Sequence, residues 1–225
     1  MTFSRSLSAL VLSCSLIALA SCQTAPPPPV MAPPASFIPL GINAPYLTGD
    51  VIGGKRARSA KMKAAGIKPL SGTGAASYSS TLETELRRQT AGIGLDVIRL
   101  SNGILIRIPA AFTFTSGSAA VNPQFDATLL EIARTVKSQN QSFVDVLAHT
   151  DTTGTPQVNQ ALSDKRAAAV ATFLSKHGVA KGRIASKGYG ESAPLYADEL
   201  TEEQKAGNRR VEIRLVPYVA TDSRR

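Results

Sequence analysis

Residues 143–176 read FVDVLAHTDTTGTPQVNQALSDKRAAAVATFLSK, and the apolar pattern changes character once inside that stretch. Phe143 to Ala148 is a short apolar run rich in β-branched residues and predicts a strand. His149-Thr150-Asp151-Thr152-Thr153-Gly154 is rich in turn formers, and a helix is expected from Pro156 to Lys176, with proline in its first turn. Upstream, Asn122 caps and Pro123 starts another helix, where Phe125, Leu129, Ile132 and Val136 fall on one face. Before it, Leu95 to Leu100 and Ile104 to Ile108 flank Ser101-Asn102-Gly103, the pattern of a β-hairpin. Downstream, Arg183 to Lys187 and Arg210 to Val216 read as the last strands, separated by a loop over 188–208. Strands alternating with two helices indicate an α/β sandwich over residues 92–218.

The helix from Pro156 carries a conflict. At about 100° per residue, Leu162, Val170 and Phe173 define its apolar stripe, and Arg166 and Asn159 fall inside it. A charge in such a stripe requires a partner. Helical side chains lean toward the N-terminus, so Arg166 points back toward the end of the preceding strand, where Asp151 sits. A carboxylate and a guanidinium beside a helix N-terminus suit the ammonium and carboxylate of an amino-acid head group. The competing reading is an Asp151–Arg166 salt bridge that binds nothing. A buried pair is a poor source of net stability, which disfavours it.

Thr150-Asp151, Asn159, Leu162-Ser163-Asp164-Lys165-Arg166-Ala167 and Asn208-Arg209-Arg210-Val211 occur in that order and resemble the signature of OmpA-like C-terminal domains. The resemblance covers roughly residues 92–218 and implies a two-layer sandwich, a mixed β-sheet with two main helices on one face. It also implies non-covalent binding of the diaminopimelate of the peptidoglycan stem peptide. Carried over by position, Asp151 takes the ammonium and Arg166 the carboxylate, while Thr150, Asn159 and Arg209 line the pocket. Arg210 is a weaker member, with bracing of the sheet as its competing role.

The ends of the chain set its address. Arg5, the apolar run from Leu7 to Ala20 and the small residues before Cys22 form a secretory signal over residues 1–21. That run is too short to span a bilayer comfortably. Leu19-Ala20-Ser21-Cys22 resembles the bacterial lipobox, which implies acylation of Cys22 and a lipid anchor; Cys14 fits less well. A free thiol at Cys22 after ordinary cleavage is the alternative, but a lone exported cysteine has no internal disulfide partner. Gln23, rather than Asp, after the cysteine favours the outer membrane by the same resemblance. Residues 22–40 form a proline-rich tether and 219–225 a C-terminal tail.

Between tether and domain, residues 41–78 mix glycine with Lys55, Arg56, Arg58, Lys61, Lys63 and Lys68. A solvated linker is favoured over a patch for anionic lipid or glycan, and no fold is assigned. Ser80-Thr81-Leu82-Glu83 has capping-box spacing, so a short helix is expected over 79–91.

The 225 residues allow one ordinary domain with tails. A formal net charge of +9 asks for an anionic partner, yet the absence of Trp and an aromatic content of 5% disfavour nucleic acid. The partners expected are peptidoglycan and the outer membrane through the lipid, with an envelope protein complex such as a secretion or motility machine as the alternative. Catalysis is not expected. The two histidines, His149 and His177, lack metal-ligand spacing, and no nucleophile elbow occurs, so neither metal nor cofactor is called for. His149 reads as a loop residue beside the pocket and His177 as a helix end.

Overall fold

The computed structural model describes residues 45–220; the expected signal peptide, Cys22, the tether and residues 221–225 of the tail lie outside them. Five strands, β1 (Asp96–Leu100), β2 (Gly103–Pro109), β3 (Ser142–His149), β4 (Ile184–Gly188) and β5 (Arg210–Pro217), form one sheet in the order β1-β2-β5-β3-β4. Only β3 and β4 pair in parallel. The helices are α1 (Pro45–Thr48), α2 (Lys55–Ala64), α3 (Gly74–Thr90), α4 (Ala110–Thr113), α5 (Asp126–Ser138), α6 (Pro156–Lys176) and α7 (Glu202–Asn208). The expected hairpin is present, with Leu100 paired to Gly103 across Ser101-Asn102. Glycine is required at 103 because a Cβ there would meet the Leu215 carbonyl oxygen at 2.2 Å.

The front face of the sheet carries Ile104, Ile106, Val144, Val146, Val211 and Ile213, all buried under α3, α5 and α6. Phe125, Leu129, Ile132 and Val136 are buried in this core, as their spacing predicts. The two main helices lie on this face, and α3 joins them. α3 starts at Gly74 rather than at Ser80, because Tyr78 is also buried and its hydroxyl donates to the Gln139 carbonyl at 2.8 Å. The capping box forms elsewhere, where Thr201 and Gln204 head α7. On α6 the buried stripe is Asn159, Ser163, Arg166, Ala167, Val170 and Leu174. Leu162 and Phe173, expected in it, are only half-buried and sit at its margins.

The reverse face corrects the linker reading. Residues 45–70 strap it, burying Leu47, Val51, Met62 and Ile67 against Leu105, Leu147, Phe143 and Val216. Buried charge pairs tie the strap down as well. Asp145 lies opposite Arg214 in the β3–β5 register and forms ion pairs with Arg214 (2.6 Å) and with Arg58 of α2. Arg58, counted from sequence among the surface cations, is thus 4% exposed. Arg214 also donates to the Tyr46, Leu47 and Asp50 carbonyls at 2.8–2.9 Å, satisfying acceptors at the end of α1. Two register positions along, Glu212 accepts from Arg107 Nε at 2.9 Å and Arg210 Nε at 3.0 Å.

Candidate functional site

The site assembles where β3, β4 and β5 meet the N-terminal half of α6. β3 ends at His149, so Thr150 and Asp151 leave the sheet at its edge, and β5 begins just after Arg209. Thr155 accepts from the Val158 amide to cap α6, and Pro156 opens it. The turn between is fixed: the Thr150 amide donates to the Gly190 carbonyl at 2.9 Å, and Asp151 Oδ1 accepts from the Thr153 amide at 3.1 Å.

Five of the six expected residues come together here. Asp151, 6% exposed, is ion-paired through Oδ2 to Arg209, whose side chain is 36% exposed and hence the one that water reaches most easily. Arg166 is buried under the 114–121 loop. Its Nε donates to the Ser118 carbonyl at 3.0 Å, and its guanidinium carbon lies 5.1 Å from the Phe114 ring centroid. Burial pulls the Arg166 guanidinium below its ordinary value; the Asp151 charge opposes that fall and the Arg209 charge adds to it. Asp151 and Arg166 therefore feel each other without the direct salt bridge considered from sequence, since Asp151 has Arg209 as its partner. Asn159 donates to the Asp151 carbonyl at 3.2 Å and to Glu191 at 2.6 Å. The Thr150 hydroxyl is buried with no hydrogen-bond partner among the described residues.

Arg210 does not join them. It points to the reverse face at 1% exposure, where it donates to Glu212, to the Asn208 and Ala193 carbonyls and to the Tyr46 hydroxyl. Successive side chains of a strand take opposite sides, so Arg209 at the strand end and Arg210 within it cannot share one pocket. The bracing role is the one the structure gives it.

Five residues that sequence reasoning gave no role hold the site in shape. Glu199 accepts from the Thr152 amide and hydroxyl at 2.9 and 2.6 Å and from Asn208 at 2.6 Å. Burial would raise this carboxyl, but the bonds from Thr152 and Asn208 outweigh it and hold Glu199 below its usual range. Asn208 in turn accepts from the Leu195 and Tyr196 amides at 2.7 and 3.0 Å, fastening the 190–200 loop. Glu191 supports Asn159. Ser163 and Asp164 pin the same loop from α6, accepting from the Gly190 and Gly188 amides at 2.9 Å each. Asn208, Ser163 and Asp164 lie inside the quoted motifs and so left a trace in the sequence; Glu191 and Glu199 did not.

His149 is no loop residue. It ends β3 on the reverse face, 1% exposed, stacked on Tyr189 with centroids 5.3 Å apart, its Nε2 3.3 Å from Glu212. Burial lowers it to about 4, with Arg210 adding to the fall and Glu212 opposing it. Burial would raise Glu212, yet Arg210, His149 and Arg107 hold it well below the usual carboxylate range. Unfolded, His149 binds a proton near pH 6.5; folded, only near 4. Between those values the unfolded chain holds more protons, so stability falls as pH drops. Stability is lost further as pH falls below the ordinary carboxylate value and through that of folded Glu212. Urea unfolding at pH 6.5 and pH 4 should differ by about 3 kcal/mol on account of His149, and His149→Gln should flatten that window. An unchanged slope in the variant assigns the proton elsewhere.

Among the described residues no group of three or more His, Cys, Asp and Glu side chains could hold a metal, and no helix is long and apolar enough to cross a membrane. An open groove of about 420 Å³ lies at the other end of the strands, lined by Lys55, Arg99 and Gly103, and contains none of the six expected residues.

A family model described as the OmpA family matches residues 113–209, which include Asp151, Arg166 and Arg209. The chain is 38% identical over 146 residues to the probable lipoprotein YiaD of Escherichia coli (strain K12), covering 65% of this chain and 66% of that protein. It is 33% identical to the peptidoglycan-associated lipoprotein of Pseudomonas aeruginosa, over 51% of this chain and 67% of the relative. It thus spans about two thirds of the length of these curated relatives. Among solved structures, the cell wall anchor of the T6SS from Pseudomonas aeruginosa superposes with a TM-score of 0.53 at 29% identity, covering 59% of this chain and 96% of that one.

Proposed function

The chain belongs to the OmpA family, and from that premise we propose that it is a non-catalytic, lipid-anchored protein of the outer membrane that holds peptidoglycan through the diaminopimelate of the stem peptide. The observation that carries this reading is the meeting of the Asp151 carboxylate, its Arg209 partner and the Arg166 guanidinium at one end of the sheet. Relatives named as a peptidoglycan-associated lipoprotein and as a cell wall anchor support the polymer as ligand. A zwitterionic carbon of diaminopimelate offers an ammonium to Asp151 and a carboxylate to Arg166. In the ligand-free arrangement Arg209 occupies the Asp151 oxygen. An arriving ammonium shares or takes that position, and Arg209, the more exposed of the two arginines, turns to the ligand's carboxylates. The free Thr150 hydroxyl and Asn159 complete the polar wall.

Free diaminopimelate should compete the protein off purified sacculi, measured as loss of sedimentation, while Nα-acetyl-lysine, which has no carbon bearing both an ammonium and a carboxylate, competes less well. Equal competition by both would remove the stem peptide as the ligand. The anchor rests on Cys22, and Cys22→Ala should move the protein from the membrane to the soluble periplasmic fraction once raised ionic strength has screened surface charge. Retention of that variant in salt-washed membranes would sink the anchor. A second reading, a peptidoglycan-anchored part of a secretion or motility machine, is favoured by the resemblance to the T6SS cell wall anchor. A stoichiometric protein complex recovered from cross-linked envelopes would select it.

A further inference from the structure

The cations of the strap are set apart by what they lack. The exposed arginines of α3 and α5 each have a carboxylate in reach: Arg87 with Glu83, Arg88 with Glu85, Arg134 with Glu131. On α2 and the turn after it, Lys55, Arg56, Lys61, Lys63 and Lys68 are all exposed, and among the described residues none approaches a carboxylate within ion-pair distance. Lys181 adds a sixth, because α2 lies against the Lys181–Arg183 turn, where a Cβ on Gly182 would meet the Lys61 carbonyl at 3.0 Å.

The fold leaves this cluster exposed around α2. Arg58 and Met62, four apart on α2, are drawn into the reverse face by Asp145 and by Phe143, Val216 and Tyr218, which leaves Arg56 and Lys63 on the opposite side of the helix. Gln141 fixes the segment beyond by donating to the Lys68 carbonyl at 2.9 Å. These anchors lie in the first half of β3 and around the end of β5. The Asp151 site lies at the other ends of the same strands, roughly 25 Å away for eight strand residues. Lys55 also rims, with Arg99, the open groove of about 420 Å³ at this pole, which gives a phosphate head group room to enter.

We propose that α2 and its flanking lysines form a docking face for a bilayer surface carrying anionic phospholipid head groups, at the pole opposite the peptidoglycan site. Charge complementarity favours a flat anionic surface over a discrete ligand, because the cations ring a convex helix. A lipid surface is also the partner that the chain's own expected anchor, 33 positions before Lys55 at Cys22, would hold close. One pole then rests on the membrane while the other faces the wall.

The test uses the mature chain from position 22 carrying Cys22→Ala, so that neither the apolar signal run nor the lipid anchor contributes, with flotation on phosphatidylcholine vesicles with and without phosphatidylglycerol. Binding is expected only with phosphatidylglycerol and is lost at raised ionic strength. Combined Arg56→Gln, Lys61→Gln, Lys63→Gln and Lys68→Gln should weaken it by roughly fivefold per cation, several hundredfold in all. Its sacculus sedimentation should stay intact, whereas Arg166→Ala should show the reverse pattern, so this face and the peptidoglycan site fail separately. Equal binding to both vesicle types, or undiminished binding by the quadruple variant, overturns the proposal. Loss of sacculus binding by the quadruple variant with vesicle binding retained transfers the face to the wall polymer and overturns it equally.

Discussion

Alanine at Asp151 or at Arg166 is expected to abolish co-sedimentation with purified sacculi while leaving a folded domain. Each substitution removes one half of a paired recognition of ammonium and carboxylate. Truncating one partner of a buried, hydrogen-bonded charge pair costs about 2–5 kcal/mol, a weakening of roughly thirtyfold to several thousandfold. The effects on folding are small for different reasons. Asp151→Ala releases Arg209, whose side chain is 36% exposed, so water takes over the lost interaction. Arg166→Ala gives up one bond to the Ser118 carbonyl and its packing on Phe114, at the edge of the core rather than inside it. Arg166→Lys keeps the charge but loses the planar fork, and should fall between wild type and alanine. Circular dichroism of each variant separates lost recognition from lost structure. If both alanine variants still sediment with their far-ultraviolet spectra unchanged, the site is wrongly assigned.

The largest effect on stability is expected at Asp145, far from that site. This carboxylate, 0% exposed, is the shared partner of Arg58 and Arg214, themselves 4% and 1% exposed, and it also accepts from the Ile52 amide at 3.2 Å. Asp145→Ala leaves two guanidiniums without a counter-charge where water cannot reach them, which costs about 3–5 kcal/mol. For a domain of this size that is a fall in Tm on the order of 10 °C. Arg58 ties α2 to the sheet and Arg214 ties α1, so the strap should loosen first. Trypsin should then cut at Arg56 and Lys61 at concentrations that leave wild type whole. A variant within about 1 kcal/mol of wild type, with that cleavage unchanged, would show that the strap is held by its apolar residues alone.

Much of this was legible in local pattern. The hairpin around Asn102-Gly103, the apolar spacing of Phe125, Leu129, Ile132 and Val136, and the helix from Pro156 to Lys176 all follow from short-range rules of turn chemistry and periodicity. Arg166 was legible as an anomaly, because a cation at the phase of Asn159 and Val170 must be buried, and it is. Its neighbour Leu162 was placed too deep, because Ser163 and Ala167 are the small residues that let α6 approach β4. A Cβ on Gly188 would come within 2.4 Å of the Ser163 hydroxyl. Such closeness depends on both surfaces, and one helix read alone cannot register it.

The sequence by itself determined the elements of the sandwich and set two opposite charges fifteen positions apart, one just past the end of β3 and one on α6. Those are properties of neighbours along the chain, whose geometry is set within a few residues. Only the tertiary structure decided that Asp151 pairs with Arg209, that Arg210 turns away, and that a basic segment readable as linker straps the sheet through Arg58. Each of those outcomes depends on which charge finds which partner across 58 to 87 positions. Burial makes that choice: once water is excluded, a guanidinium must lie where the fold supplies oxygen acceptors, and the local sequence around it does not say where that is.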